Sequence, residues 1–537
     1  MNPSMRIFVV NNIKLPVCAS FKEAFSVAGK KLKSIGISSP LSYRIYRRST
    51  DARNKDKICF VYSVAAEAHD VQLSDAELSA CGVTRIEEAD VFDFDKGEEK
   101  LSSPPVIVGA GPCGLFAALL LAEAGYNPII VERGGDIQSR INAHNRFIGE
   151  HILDPETNIQ FGAGGAGTFS DGKLVTRIND PISSYVLERF VEFGAPKDIQ
   201  YIAKPHIGTD ILTTVVDNMI TKIISLGGKI LHNTRFEYPI FSGESVIAIK
   251  TSRGEIPTGA LILALGHSAR DTYKNLIDSG LLIEAKSFSV GMRIEHLSED
   301  IDRAMYGKMA GHPALGHAEY NLSYNTSQRG VYTFCMCPGG EVVAAASECG
   351  GVVVNGMSKH SRDGKNSNSA ICCTVFKEDF GNTPFAAIEY QRNIERLAFR
   401  AGGGEYRAPI ITLGDFLSDK LGCEPSRIMP TYMGGNNVKL ASPTEYLPKT
   451  VTDAIKNSFS AFDRRISGFA APDAVLTGPE TRTSAPVRIL RDNETRVAAG
   501  YKNIYPAGEG AGYAGGITSA SVDGIKTAIS LMKKYTP

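Results

Sequence analysis

Gly109, Gly111 and Gly114 stand at the spacing that lets a backbone turn close on a pyrophosphate. They follow the apolar run Val106-Ile107-Val108, enclose Ala110, Pro112 and Cys113, and open the stretch LFAALLLAEAG, which leads to a second apolar run, Ile129-Ile130-Val131. The pattern is strand, turn, helix, strand. Gly109 permits the tight turn, Gly111 lets a phosphate approach the backbone, and Gly114 lets the helix pack closely on the strand. The free N–H groups and partial positive charge of the helix N-terminus then favour an anion. Glu132, followed by Arg133, closes the second strand, where a carboxylate accepts hydrogen bonds from ribose hydroxyls and repels a phosphate. The chemistry implied is dinucleotide binding.

The same Gly-x-Gly-x-x-Gly spacing recurs at residues 162–167 and 510–515, so spacing alone is weak evidence. The run at 162–167 follows the polar DPETNIQ rather than an apolar strand, and the run at 510–515 lies too near the C-terminus to open another βαβ unit. Each therefore needs its own reading.

Other residues offer reactive chemistry. Asp171 and Lys173 flank a Gly and read either as substrate-holding groups or as solvated turn residues. Cys335 and Cys337 form a Cys-x-Cys pair able to carry electrons as a disulfide. The segment TFCMC reads as an extended strand, however, where such a bridge would be strained, so packing is the expectation. His206 and His267 sit beside Gly-containing turns and read as structural or solvent-facing more readily than as proton donors. Arg482 and Arg488 either clamp an anionic substrate or pair with nearby acids. No residue is assigned as catalytic, and no cysteine spacing suggests a metal site or a disulfide framework.

Near the C-terminus, NIYPAGEG reads as a strand running into a turn, and GYAGGITSASVDGIKTAIS as a helix rich in small residues. This resembles the late motif of the glutathione-reductase-type flavoproteins, in which an acidic residue after a Gly contacts the ribityl chain and the next helix points its N-terminus at the flavin pyrimidine ring. On that resemblance Gly508 and Glu509 stand at the ribityl chain, with Glu where Asp is more usual. Gly515, Gly516 and Ile517 begin the helix. Reduction of a flavin builds negative charge that a helix N-terminus stabilises. LILALGHSAR, ending its strand at Gly266, resembles the middle strand of the same fold.

With the segments at 47–55, 161–174, 204–212, 334–348 and 480–489, the chain resembles the family of uncharacterised FAD-dependent dehydrogenases, NAD(FAD)-utilising dehydrogenase-like, of bacteria and plastids. The resemblance implies bound FAD, with Gly164, Gly165, Gly167 and Thr168 running along the isoalloxazine ring. Ala163 stands where that family often has an acid, so no catalytic side chain is carried over there. The activity implied is an FAD-dependent oxidoreductase that passes a hydride through flavin N5 to or from a small organic substrate. NAD(P)H is a candidate transient electron donor, since no second strand-anchored fingerprint supplies a separate nicotinamide domain.

The elements that must position these residues define the fold class: an α/β chain with an FAD-binding Rossmann-like fold of two-dinucleotide-binding type, an inserted α+β substrate domain and an N-terminal α+β domain. Boundaries are expected at 1–98 for the N-terminal domain, 99–280 for the first part of the FAD-binding domain, 281–472 for the insertion and 473–537 for the C-terminal part of the FAD-binding domain. Residues 5–10, 41–48 and 57–66 read as strands and 20–32 as a helix. An acidic stretch, with seven carboxylates from Glu87 to Glu99, marks the first boundary.

At 537 residues the chain exceeds one core, and its 58 basic and 58 acidic residues select no partner by net charge. No secretory pattern or span-length apolar stretch appears, and a cytoplasmic setting is expected. Residues 29–57 carry nine Lys or Arg against two Asp, which keeps an RNA-binding or RNA-modifying flavoprotein as the alternative and a solvated hairpin as the plainer reading.

Overall fold

The computed structural model describes residues 5–37, 40–71, 73–86, 92–176, 178–326 and 329–537. Part of the expected acidic boundary, residues 87–91, lies outside the described residues.

The N-terminal unit is a four-stranded antiparallel sheet in the order Ser42–Asp51, Cys59–His69, Met5–Pro16, Val83–Ile86. One helix, Phe21–Ser34, lies on it because Ala24, Ala28 and Leu32 recur every fourth residue and make one apolar stripe that meets the sheet. The basic hairpin is partly internal to the molecule. The Arg48 guanidinium lies 4.9 Å from the Phe60 ring centre and 5.8 Å from that of Tyr201. The Arg48 backbone also pairs with Tyr201 and Ala203 of the next unit.

The second unit is a parallel five-stranded sheet, ordered Ile504–Pro506, Leu261–Leu263, Val106–Val108, Ile129–Val131, Lys229–Leu231. Its central strands are three-residue apolar runs because both faces are covered. Helix Pro112–Glu123 is buried almost all round, packed between this sheet and the C-terminal helix Ile517–Met532. Two glycines permit that approach: a Cβ on Gly114 would lie 1.9 Å from the Gly109 carbonyl oxygen, and one on Gly524 would lie 2.2 Å from that of Cys113. The last strand, Tyr535–Thr536, pairs with Glu99–Lys100, so the two ends of this unit close on each other.

The third unit is a seven-stranded sheet ordered Ser323–Asn325, Gly330–Cys337, Asn366–Val375, Phe288–Leu297, Val475–Glu480, Ala408–Thr412, Val438–Leu440. Phe288–Leu297 is buried at every position, with helix Lys449–Arg465 packed against it and against Asn366–Val375. The boundary expected at 473 falls later. Val475–Glu480 pairs with Phe288–Leu297 and Ala408–Thr412 inside this sheet, and only Val487–Ile489, paired with Ile283–Ala285, begins the return. Strand membership follows hydrogen-bond partners, which composition does not reveal. Among the described residues no helix is long and apolar enough to cross a membrane.

Candidate functional site

The strand Val106–Val108 delivers the chain to Gly109 at φ 106°, where a Cβ would lie 2.5 Å from the Ala264 carbonyl oxygen. A side chain there would meet both a left-handed backbone and a neighbouring strand. Gly111 then caps helix Pro112–Glu123 without any side-chain hydrogen bond, and Pro112 occupies a first-turn position that needs no donor. The first-turn N–H groups therefore stay available to a ligand. Gly109, Gly111, Pro112 and Cys113 line one end of a cavity of about 310 Å³.

Glu132 is 5% exposed and accepts from the backbone N–H groups of Ala110 (2.8 Å), Gly134 (2.9 Å) and Gly162 (2.9 Å). It thus ties the fingerprint turn to the second Gly-rich run. A carboxylate has about four acceptor positions, so capacity for one hydroxyl remains at the cavity wall. Arg133 is also at that wall, ion-paired with Asp271 and Glu156 and stacked 4.2 Å from the Phe161 ring centre.

The run at 162–167 docks on the fingerprint turn through a hydrogen bond from Gly164 N–H to the Ala110 carbonyl (2.8 Å). Gly165 and Gly167 line the cavity, whereas Gly164 and Thr168 do not. A Cβ on Gly164 would meet Thr168 Oγ1 at 1.9 Å, and Thr168 is turned into the interior, where its hydroxyl has no partner among the described residues. Gly114 packs the fingerprint helix on its strand, as its place in the spacing requires, and does not line the cavity. Gly508 is likewise a packing position at φ 77°, where a Cβ would lie 2.8 Å from that of Cys113.

Glu509 faces the cavity with no hydrogen bond to its carboxyl among the described residues. Burial pushes its pKa up to about 7, opposed by Lys286. Gly515 and Gly516 stand beside it, and a Cβ on either would point into open space, as would one on Gly266. Helix Ile517–Met532 starts at Gly516 with no capping side chain. Two uncapped helix N-termini thus open into one cavity, with a free carboxyl and three open glycines between them. These residues fit FAD: amides for a pyrophosphate, acceptors for sugar hydroxyls, and bare backbone for a flat ring.

The third unit supplies the remaining wall. Asp171 is fully buried, which removes the solvated-turn reading. Although burial pushes its pKa up, Lys173 and Arg362 hold it well below the usual carboxylate range. Lys173 Nζ is 2.8 Å from Asp171 and 3.8 Å from Cys337 Sγ. The strand Gly330–Cys337 is not regular: its register slips between Phe334 and Cys337, and Cys335 adopts φ 45°. That bulge brings Cys335 to the cavity wall and corrects the extended geometry expected for TFCMC. The Cys337 thiol donates to the Cys335 carbonyl (3.3 Å), and the Cys337 side chain lowers the Cys335 pKa against burial, with Lys173 and Arg293 adding to the effect, while Cys337 itself is raised. Arg293, wholly buried, spans Glu480 (3.1 Å), Asn355 (3.2 Å) and the Cys335 carbonyl. Burial raises Glu480 to about 7 against the pull of Arg293.

The other candidates separate. His267 is at the wall, where burial and then Arg482 and Arg270 lower it to about 3, so it is neutral. His206 stacks on His360 at 5.2 Å, away from the cavity. Arg482 reaches the wall but is held by Glu395, Ser268 and Ser347, and Arg488 stacks on Tyr513. Arg482 is therefore not a free anion clamp, and Arg488 does not line the cavity.

Residues 103–145 match a family described as FAD binding domain, and residues 287–483 match one described as FAD-dependent protein, C-terminal domain-like. A protein of Clostridium beijerinckii (strain ATCC 51743 / NCIMB 8052), described as uncharacterised, is 43% identical over 537 residues and 98% of each chain. The chain belongs to this family of FAD-dependent proteins. Among solved structures it is remotely similar to CtdE in complex with FAD (13% identity, 81% of this chain and 87% of that one, TM-score 0.32). Glycine oxidase from Bacillus cereus ATCC 14579 is similarly distant (11%, 81% and 98%, TM-score 0.35).

In this FAD-dependent protein the first match covers the strand, turn, helix and second strand around Gly109 and Glu132, and the second ends at residue 483, just past Glu480. Both matched segments therefore contribute to the one cavity. The sequence reading missed Arg293, Asn355, Glu480 and Arg362. Glu480 opens the segment 480–489, but the other three meet the cavity or Asp171 only through pairings across the sheets, and no local signal marks them.

Proposed function

We propose that this FAD-dependent oxidoreductase transfers a hydride between flavin N5 and a small organic substrate seated where Lys173, Glu480 and Asn355 form the cavity wall. The observation that carries the reading is that two uncapped helix N-termini, Glu132 and Glu509 all open into one cavity. Bound FAD supplies two-electron chemistry at N5.

The chain's own residues divide the work. The first-turn amides after Gly111, with Pro112 and Cys113 beside them, hold the pyrophosphate, and the remaining acceptor position of Glu132 takes an adenosine ribose hydroxyl. Arg133 closes that end as a fixed wall. Glu509 accepts from the ribityl hydroxyls. The N-terminus at Gly515, Gly516 and Ile517 stabilises negative charge at the pyrimidine edge, and Gly165, Gly167 and Gly266 let the ring lie against backbone. Lys173, fixed by Asp171, holds an anionic or carbonyl oxygen of the substrate. Glu480, ionising near neutrality, is placed to hold the proton that accompanies the hydride.

Purified protein is expected to be yellow, to bleach under anaerobic NADH or NADPH, and to reoxidise with one member of a metabolite panel. Colourless protein that takes up no FAD on reconstitution overturns the reading. NAD(P)H, if it is the donor, enters transiently, and the titration distinguishes it from a substrate that reduces the flavin directly.

A further inference from the structure

Cys335 and Cys337 are the reactive feature that the oxidoreductase reading leaves unused. A non-glycine residue at φ 45° is strained, and such backbone persists where surrounding contacts impose it. Here Arg293 imposes it, donating to the Cys335 carbonyl while its guanidinium also lies 3.9 Å from Cys337 Sγ. Gly356 makes room for that guanidinium, since a Cβ there would come within 2.5 Å of it. The result is a Cys337 thiol that donates to the Cys335 carbonyl at 3.3 Å, with Cys335 at the cavity wall, Cys337 buried and two cations beside the Cys337 sulfur.

The pair is also close to the expected flavin ring. Lys173, in contact with Cys337, is followed by Leu174, whose carbonyl accepts from Thr518 Oγ1 at 2.8 Å in the first turn of helix Ile517–Met532. Cys372, by contrast, lies flat in the ladder of Asn366–Val375, fully buried and away from the cavity, as a packing cysteine does.

We infer that Cys335 and Cys337 are a dithiol/disulfide couple that exchanges an electron pair with the bound flavin. The inference rests on the proposed oxidoreductase function and deepens it. In the oxidising direction the Cys335 thiolate and the Cys337 thiol form an S–S bond, one S–H bond breaks, and an electron pair and one proton are released. Oxidised FAD takes up that electron pair and proton to become its reduced anion, so charge and atoms balance. In the reverse direction reduced FAD returns the electron pair and the proton, and the bridge opens. Lys173 and Arg293 favour the thiolate over the thiol. A bridge across so short a ring is readily reduced, so the couple rests as dithiol and cycles only when the flavin does.

The test uses the purified FAD-loaded protein. After mild oxidation with diamide, alkylation and peptide mapping are expected to recover a Cys335–Cys337 bridge, also in protein stripped of flavin. Anaerobic dithionite titration of the oxidised protein is then expected to take twice the reductant per flavin that the Cys337→Ser or the Cys335→Ser variant takes. Cys335 and Cys337 both recovered as free thiols after diamide, or equal uptake in wild type and either flavin-loaded variant, overturns the inference alone. Failure of the wild type to bind FAD overturns the oxidoreductase reading with it, whereas a bridge mapped in flavin-free protein supports the dithiol on its own.

Discussion

Single side chains in this site do double duty, and Glu132 shows how. The sequence assigns it to a ribose, yet three backbone amides already converge on its carboxylate. Each buried amide left unpaired costs about 1–3 kcal/mol. Glu132→Ala is therefore expected to lower thermal stability as well as flavin content, and Glu132→Gln, which keeps one acceptor oxygen, to lie between. Differential scanning fluorimetry with and without added FAD separates the two losses. A variant that loses flavin at unchanged stability of the flavin-free protein would contradict the tie between the two turns.

Glu509 permits a pH test. Its folded pKa, about 7, lies above the ordinary carboxyl value of 4.5, so the flavin-free folded state holds the proton more tightly than the unfolded chain. Its contribution to stability is present in full below 4.5 and is lost as pH rises towards 7. Glu509→Gln is accordingly expected to raise the Tm of flavin-free protein more at pH 8 than at pH 5. An equal shift at both pH values would show that the carboxyl is ionised in the empty cavity.

At the scale of elements, what matters is which ends and edges are left open. Helix Ile517–Met532 begins on Gly516 at φ 167°, an extended backbone open to any residue, and a Cβ there meets nothing. Gly516→Asp is thus expected to fold normally, since a carboxylate at an N-cap satisfies the first-turn amides. The same carboxylate would occupy the donors and place negative charge where a reduced flavin is negative. FAD affinity is expected to fall at least tenfold, read by fluorescence titration, with the Tm of flavin-free protein unchanged or higher. The strand Gly330–Cys337 teaches the complementary lesson. Its alternation reads as regular, and only the partner strand and Arg293 put a bulge in it.

At the scale of the whole molecule, one buried ion cluster joins the units that enclose the cavity. Arg270, from helix Arg270–Asp278, and Arg482 both bind Glu395 of helix Pro384–Ala401, at distances from 2.7 to 3.2 Å. Although burial pushes the Glu395 pKa up, the two guanidiniums hold it well below the usual range. Removing one partner of a buried pair costs about 3–5 kcal/mol, because the uncompensated charge stays buried. Glu395→Ala is expected to lose that much in urea unfolding and to loosen the cavity wall, while Glu395→Gln loses less. A change below about 1 kcal/mol would mean water replaces the carboxylate.

The sequence by itself determined the dinucleotide end of this protein. A tight turn, a close helix and a second-strand carboxylate each require one residue type at one local position, so Gly109, Gly111 and Glu132 are legible without a structure. It also determined the small-residue helix whose N-terminus faces the cavity. Only the tertiary structure decided which glycines of the later runs line the cavity: Gly165 and Gly167 do, whereas a Cβ on Gly164 would meet Thr168 and one on Gly508 would meet Cys113. Only it brought Arg293 and Arg362 to Cys335 and Asp171, through contacts between residues far apart in the chain. Local patterns record what one segment's backbone must do, whereas a side chain's partners depend on which strands pair, and that is settled by the packing of the whole chain.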